Sequence, residues 1–321
     1  MLNKISCQKE LNLEIIMVGF AANIKKILRP GVGQLGTYSP RPVSFHRLKQ
    51  NNLLHEQTLP KISIVVPSLN QDKFIEATLQ SIINQQYANL ELIVIDGGST
   101  DNTLSIIKQY EAHITWWVSE PDSGQTEAIN KGFMQSTGEI MAWINSDDLA
   151  APRAIHQVAD YFVKHPETQV VYGNRILINE DSLEIGRWIL PRHSNRVLKW
   201  ADFVPQETLY WTRKAWNLIG ARLDESFHFA MDWDFLLRLS AKQIDIHHLP
   251  IFLGLFRIHD QQKTSNKMLS IGQQEIQMIR HRELGFQPSR WQLILSTMPF
   301  LLAAKFLELR FKLGLNRKTN A

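Results

Sequence analysis

Ile62–Asn70 reads ISIVVPSLN, a short, largely apolar and β-branched run that stops at proline, serine and asparagine. Such a run is a strand buried on both faces, and its polar end is where the chain turns. The pattern then repeats. Phe74–Asn84 has helical apolar spacing, Leu92–Ile95 is a second strand, Leu104–Tyr110 a helix, Thr115–Val118 a strand, Thr126–Phe133 a helix and Ile140–Ile144 a fourth strand. Short strands alternating with helices of this size predict an α/β fold, a mostly parallel central sheet flanked by helices. In such sheets ligands lie outside the carboxyl ends of the strands, and here those ends are polar.

Outward from this block the pattern loosens. Pro152–His165 reads as a helix, Val170–Tyr172 as a strand, Lys199–Trp216 as mixed, Trp233–Ala241 as a strong helix and Ile246–Ile258 as strand-like. Residues 28–60 hold Pro30, Gly31, Gly33, Gly36, Pro40, Pro42 and Pro60 with no sustained period, which reads as an irregular connector. The expected organisation is an N-terminal extension over 1–60, a folded domain over 61–265 and a C-terminal helical extension over 266–321.

Composition narrows the function classes. A chain of 321 residues, 44% hydrophobic, can bury one large core. Its single cysteine, Cys7, excludes an intramolecular disulfide and a Cys-based zinc site, which fits a reducing cytoplasm. The net charge of +4 is segregated: residues 1–60 carry +5, residues 280–321 carry +6, and the middle carries −7. An acidic centre argues against a nucleic-acid groove. Basic ends point instead to peripheral contact with an anionic membrane face, at the inner side of the cytoplasmic membrane, with amphipathic helices packed on the protein itself as the alternative. The apolar stretches Ile15–Ala22 and Leu293–Ala304 fall short of the roughly 20 residues a bilayer needs, and Pro299 interrupts the second. Glu10 and Glu14 stand where a secretory signal would be basic.

The strand ends carry the chemistry. After the first come Pro67, Ser68 and Asn70; after the second, Asp96-Gly97-Gly98-Ser99-Thr100-Asp101. The glycines permit a tight turn, and an aspartate there accepts hydrogen bonds from a base or ribose, or caps the next helix. The spacing is neither the dinucleotide fingerprint nor a P-loop. The fourth strand runs into Asn145-Ser146-Asp147-Asp148. Two adjacent carboxylates repel unless a cation neutralises them, so a divalent metal is one reading and a helix cap the other.

Four stretches in order, Ile62–Asn70 (ISIVVPSLN), Leu92–Thr103 (LIVIDGGSTDNT), Gly138–Asp148 (GEIMAWINSDD) and Met231–Leu239 (MDWDFLLRL), resemble the family-two glycosyltransferases of the type A fold over roughly residues 61–260. The resemblance implies a Rossmann-like type A fold and an inverting, metal-dependent transfer from a nucleotide-diphosphate sugar to a glycan or lipid-linked acceptor, in surface polysaccharide or lipid-linked glycan synthesis. It implies that Asp96 recognises the base beside Pro67, Ser68, Asn70, Gly98 and Ser99. It places Asp147 near the ribose, Asp148 and His259 on Mn2+ or Mg2+, Gln206 on the sugar or acceptor, and Asp232 as the catalytic base. Asp122 and Gln125, just before the third helix, and Asn130 within it complete the expected donor contacts.

The choice of base has a separate warrant. Asp234 and Arg238 are spaced to pair on a helix, whereas position 236 offers Asp232 only a leucine. Two positions depart from the family pattern: Asn145 replaces the usual first aspartate, and Ile129 stands where an arginine is common, with Lys131 nearby. Trp143, Trp211 and Trp233 are candidate sugar platforms or core residues. The rival readings are a nucleotidyltransferase, whose glycine-rich phosphate loop is missing, and a non-catalytic binding protein, against which Asp147, Asp148 and Asp232 stand together.

Overall fold

The computed structural model describes residues 38–45, 59–260 and 266–315, so the apolar stretch Ile15–Ala22 lies outside the described residues. Strand β1 (Ile62–Ser68) is buried along its whole length. Parallel strands flank it, β2 (Leu90–Asp96) on one side and β4 (Ile140–Trp143) on the other, and β3 (Trp116–Ser119) runs parallel beyond β2.

The unbroken apolar character of these strands follows from the two layers they serve. Ile62, Ile64, Val66, Leu92 and Val94 point into one core with α1 (Ile75–Ile83), α2 (Thr103–Gln109) and α4 (Ala154–Lys164). Val65, Ile93, Ile95 and Trp143 point into the other, with α3 (Gln125–Gln135) and α7 (Met231–Ala241). The period of two therefore sorts each strand between two apolar layers. Gly132 on α3 lets that helix approach the sheet: a Cβ there would meet Val65 Cγ1 at 2.5 Å.

Beyond β4 the parallel expectation gives way to a mixed sheet. The strand order is β3-β2-β1-β4-β8-β6-β9-β5. Short β8 (Tyr210–Thr212) lies antiparallel between β4 and β6 (Val170–Ile178), and β9 (Ile246–Arg257) runs parallel to β6. β5 (Leu149–Ala150) closes the order antiparallel to β9, while β7 (Glu184–Trp188) pairs with β6. Residues 38–45 dock on β7, where Arg41 pairs with the buried Glu184 at 2.7 Å.

Two short helices, α5 (Asn195–Leu198) and α6 (Arg213–Leu218), connect these strands. The C-terminal residues form α8 (Asn266–Leu284) and α9 (Arg290–Lys312). Here the sequence expectation is corrected: α9 runs unbroken through Pro299 for 23 residues, long and apolar enough to cross a membrane by length and composition. A proline in a helix interior costs about 3 kcal/mol because a backbone donor is lost. Pro299 faces outward, and its neighbours Thr297 and Phe300 are buried against the domain, which offsets that cost.

Candidate active site

The β5–β9 pairing sets the central geometry. Leu149 lies opposite Leu255 and Ala150 opposite Gly254. Extending that antiparallel register brings Asp147 and Asp148, at the exit of β4, alongside the end of β9. Contacts there are dense. Arg257 donates its backbone N–H to Asp148 Oδ1 at 3.0 Å and its Nε–H to the Asp147 carbonyl at 2.9 Å. From α1, the Thr78 hydroxyl contacts the carbonyls of Ser146 at 2.9 Å and Asp148 at 2.8 Å.

This turn sends the two carboxylates to different places. Asp148 is 1% exposed, and burial with the charges of Asp147 and Glu207 pushes its carboxyl well above the usual carboxylate range. The buried Arg175–Glu207 ion pair lies next to it. Asp147 keeps 20% of its side chain exposed and meets His259 Nε2 through Oδ2 at 3.0 Å. His259 packs on the Phe74 ring, 4.6 Å between centroids, and its buried Nδ1 has no hydrogen-bond partner among the described residues.

The loops after β1 and β2 are stitched into one rim. Asn70, at φ 52, donates its N–H to Ser99 Oγ at 2.7 Å and accepts from Thr100 N at 2.9 Å. Asp96 is fully buried and accepts from Ser99 N at 2.9 Å and Ser119 Oγ at 2.6 Å. Gly98 sits at φ 84, where glycine carries no steric penalty. A Cβ at Gly97 would meet Asp122 Oδ2 at 2.7 Å, so the β3 loop presses against this rim.

Asp232 occupies the first turn of α7, half-buried, and accepts from Trp233 N at 2.9 Å. Desolvation and the charge of Asp232 push the nearby Asp202 carboxyl well above its ordinary range. The helix mouth is held from outside the family-like region: Glu275 on α8 accepts the backbone N–H groups of His228, Phe229 and Ala230 at 2.8, 2.9 and 2.8 Å. Asp234 pairs with Arg238 at 2.8 Å, as the spacing predicts, and also with Arg282 of α8 at 2.5 Å.

The model of glycosyl transferase family 2 matches residues 63–238, more than half of the chain. The chain belongs to glycosyl transferase family 2. It is 31% identical over 202 residues to a chondroitin synthase of Escherichia coli, a match covering 61% of this chain but only 29% of that relative's length. Among solved structures it resembles Staphylococcus aureus TarS residues 1–349 in complex with UDP-GlcNAc, with TM-score 0.57, 18% identity, and 75% and 71% of the two chains covered. A mannosyltransferase from Pyrobaculum calidifontis, in complex with GDP-Man and Mn2+, aligns over 92% of this chain and 80% of its own, with TM-score 0.53 and 17% identity.

Against that family pattern, the structure brings together most of the expected residues. Pro67, Ser68, Asn70, Asp96, Gly98 and Ser99 form the rim; Asp147, Asp148 and His259 form the carboxylate–imidazole cluster. Gln125 joins them by donating Nε2–H to Asn145 Oδ1 at 2.5 Å, and Asn145 reaches Asp148 Oδ2 at 3.5 Å. Gln206 donates to the Trp143 carbonyl at 2.8 Å, leaving its buried Oε1 with no partner among the described residues. Asp122 accepts from Gly124 N at 2.9 Å just before α3. Asn130 is placed otherwise: its amide clamps Leu223 and Glu225, with contacts of 2.8 to 3.0 Å. Lys131 pairs with Glu120 at 2.7 Å, and Trp143, Trp211 and Trp233 are core residues. Sequence reading missed Arg257, the Arg175–Glu207 pair, Asp202 and Glu275. Two of these had a local signal: Arg257 stands two residues before His259, and Glu207 directly follows Gln206.

Proposed function

We propose that this chain is an inverting glycosyltransferase that moves a sugar from a nucleotide-diphosphate sugar to an acceptor hydroxyl. The acceptor class is a growing surface polysaccharide or a lipid-linked glycan, met at the inner face of the cytoplasmic membrane. The observation that carries the proposal is the Asp147–His259 contact of 3.0 Å, formed beside the rim of the β1 and β2 loops at the carboxyl ends of the parallel strands.

The residues present fit a divalent cation. A partly exposed carboxylate and an imidazole face each other, and behind them lies the buried Asp148, whose charged form desolvation and Asp147 disfavour and a nearby cation would favour. On that ground the metal-facing carboxylate in this proposal is Asp147, with His259 as its companion and Asp148 as the buried residue that fixes the turn. The neighbour that binds GDP-Man with Mn2+ supports the choice of manganese or magnesium. When bound, the cation would offset negative charge on the departing diphosphate. Among the described residues no group of three or more His, Cys, Asp or Glu gathers as a cation cage.

The chain's own residues would do the rest. The rim of Pro67, Ser68, Asn70, Asp96 and Ser99 receives the nucleoside, and the unpartnered Oε1 of Gln206 offers an acceptor for a sugar or acceptor hydroxyl. Asp232 takes the proton from the attacking oxygen. Burial and the charge of Asp232 raise the Asp202 carboxyl well above its ordinary range, which favours its uncharged form beside that base. UDP-, GDP- and dTDP-sugars would be assayed with manganese or magnesium for nucleoside diphosphate release. Metal-dependent release from one donor, lost in Asp147→Ala, is the expected result. No release from any donor, with no donor raising the melting temperature, would sink the proposal.

A further inference from the structure

Helix α9 has two apolar faces, and the domain covers only one. On the inner side Thr297 and Phe300 are buried, Phe300 lies 4.3 Å from the Phe203 ring, and Phe311 packs 5.8 Å from Phe252. The outer side carries Trp291, Leu295, Met298, Leu302, Phe306, Leu309 and Leu313, with exposures of 39 to 71%. At about 100° per residue these seven fall within an arc of roughly 80°, and at about 1.5 Å per residue the stripe runs some 33 Å. Lys305 and Lys312 lie along one edge of it, both exposed and both paired with Glu308, and Arg310 lies along the other.

We infer that this face of α9 lies flat in the headgroup region of an anionic phospholipid surface. Three observations lead there. First, an uninterrupted exposed apolar stripe of this length marks an interaction site rather than scattered surface residues. Second, basic side chains flank the apolar stripe on both edges, and residues 280–321 carry a net +6, which complements anionic lipid. Third, contacts with the domain at both Phe300 and Phe311 hold the inner face, so α9 would have to leave the domain in order to span a bilayer. Its two apolar faces, one for the domain and one for lipid, explain why a helix lying in the plane is apolar enough to resemble a span. The inference deepens the proposed membrane-face location, and it stands on α9 rather than on the donor chemistry.

Flotation of the full chain with vesicles of phosphatidylcholine alone, or mixed with phosphatidylglycerol, tests it. The protein is expected to float with the anionic vesicles, less so as salt rises, and to be released by alkaline carbonate. Leu302→Glu with Phe306→Glu, both at exposed positions, is expected to weaken binding by at least about tenfold while donor hydrolysis is kept. Equal binding by that variant, or no binding by the parent chain, overturns the inference. So does a soluble dimer that the same two substitutions dissociate, because a second copy would then cover the stripe. Resistance to carbonate would make α9 a span and overturn the in-plane reading. Vesicle binding without donor hydrolysis would instead count against the proposed function alone.

Discussion

Asp232 and Asp202 are two carboxyl groups close enough to feel each other's charge, yet their roles diverge. Asp232 is the partly exposed one at the mouth of α7. Asp232→Asn is expected to lower turnover by at least about a hundredfold, the usual worth of a positioned base, with donor affinity unchanged in a binding titration. Full turnover by that variant would remove Asp232 from the mechanism. Asp202 provides a pH signature. Its folded-state affinity for a proton exceeds that of the unfolded chain, whose aspartates titrate near about 3.9, so its contribution to stability is complete below that pH. That contribution is lost as pH rises through the higher folded value. Asp202→Asn keeps the acceptor for Val204 N but cannot ionise, so its melting temperature should fall less than the parent's as pH is raised from 4 towards neutrality. Parallel curves for the two proteins would show that the carboxyl does not titrate as described. At this scale the sequence was legible as to which residues gather and less so as to which way each faces. Asp147 and Asp148 are neighbours in the chain, and only the turn, pinned by Arg257 and Thr78, buries one and leaves the other beside His259.

Among the elements, α8 decides how firmly the base is held. Glu275 accepts three backbone N–H groups at the start of α7, a charge-assisted cap placed where the helix dipole also favours a negative group. Glu275→Ala would leave those donors without their acceptor, the Ala230 N–H in a buried setting, and we expect a loss of about 2 kcal/mol in chemical denaturation. Turnover should fall further than donor affinity, because the loop that the cap fixes leads directly into Asp232. Equal losses in both would indicate general loosening instead. Nothing in the sequence announces this contact: Glu275 lies far along the chain in a helix with no matching motif, and long-range caps leave no local pattern. Of the first four strands, β1, β2 and β4 were legible because each is buried on both faces and hence largely apolar, and the half-buried edge strand β3 because Trp116, Trp117 and Val118 still form a short apolar run. β8 was not, because three residues inside Lys199–Trp216 are too few to establish a period, and its antiparallel placement between β4 and β6 depends on partners distant in sequence. β5 was hidden for the same reason, although its two residues align the carboxylates with the end of β9.

At the scale of the whole molecule, the site joins two regions of the sheet that the strand order keeps apart. The rim belongs to β1 and β2, whereas His259 arrives from the end of β9, separated from β4 by β8 and β6. A donor whose nucleoside sits on the rim and whose diphosphate reaches the Asp147–His259 contact would touch both regions at once. Its binding should therefore be linked to that of the metal, since each favours the arrangement the other needs. Such linkage is reciprocal, so the metal must tighten donor binding by the same factor as donor tightens metal binding. Thermal unfolding of the full chain can read it. Manganese alone and donor alone should each raise the melting temperature slightly, and the two together should raise it by more than the sum. A tenfold mutual tightening corresponds to about 1.4 kcal/mol of extra stabilisation once both sites are saturated. His259→Ala should abolish the excess and keep the shift caused by donor alone, because the rim is untouched. Purely additive shifts in the parent protein would mean that metal and donor do not share a site, and the metal-dependent part of the proposal would fall while membership of the family stood.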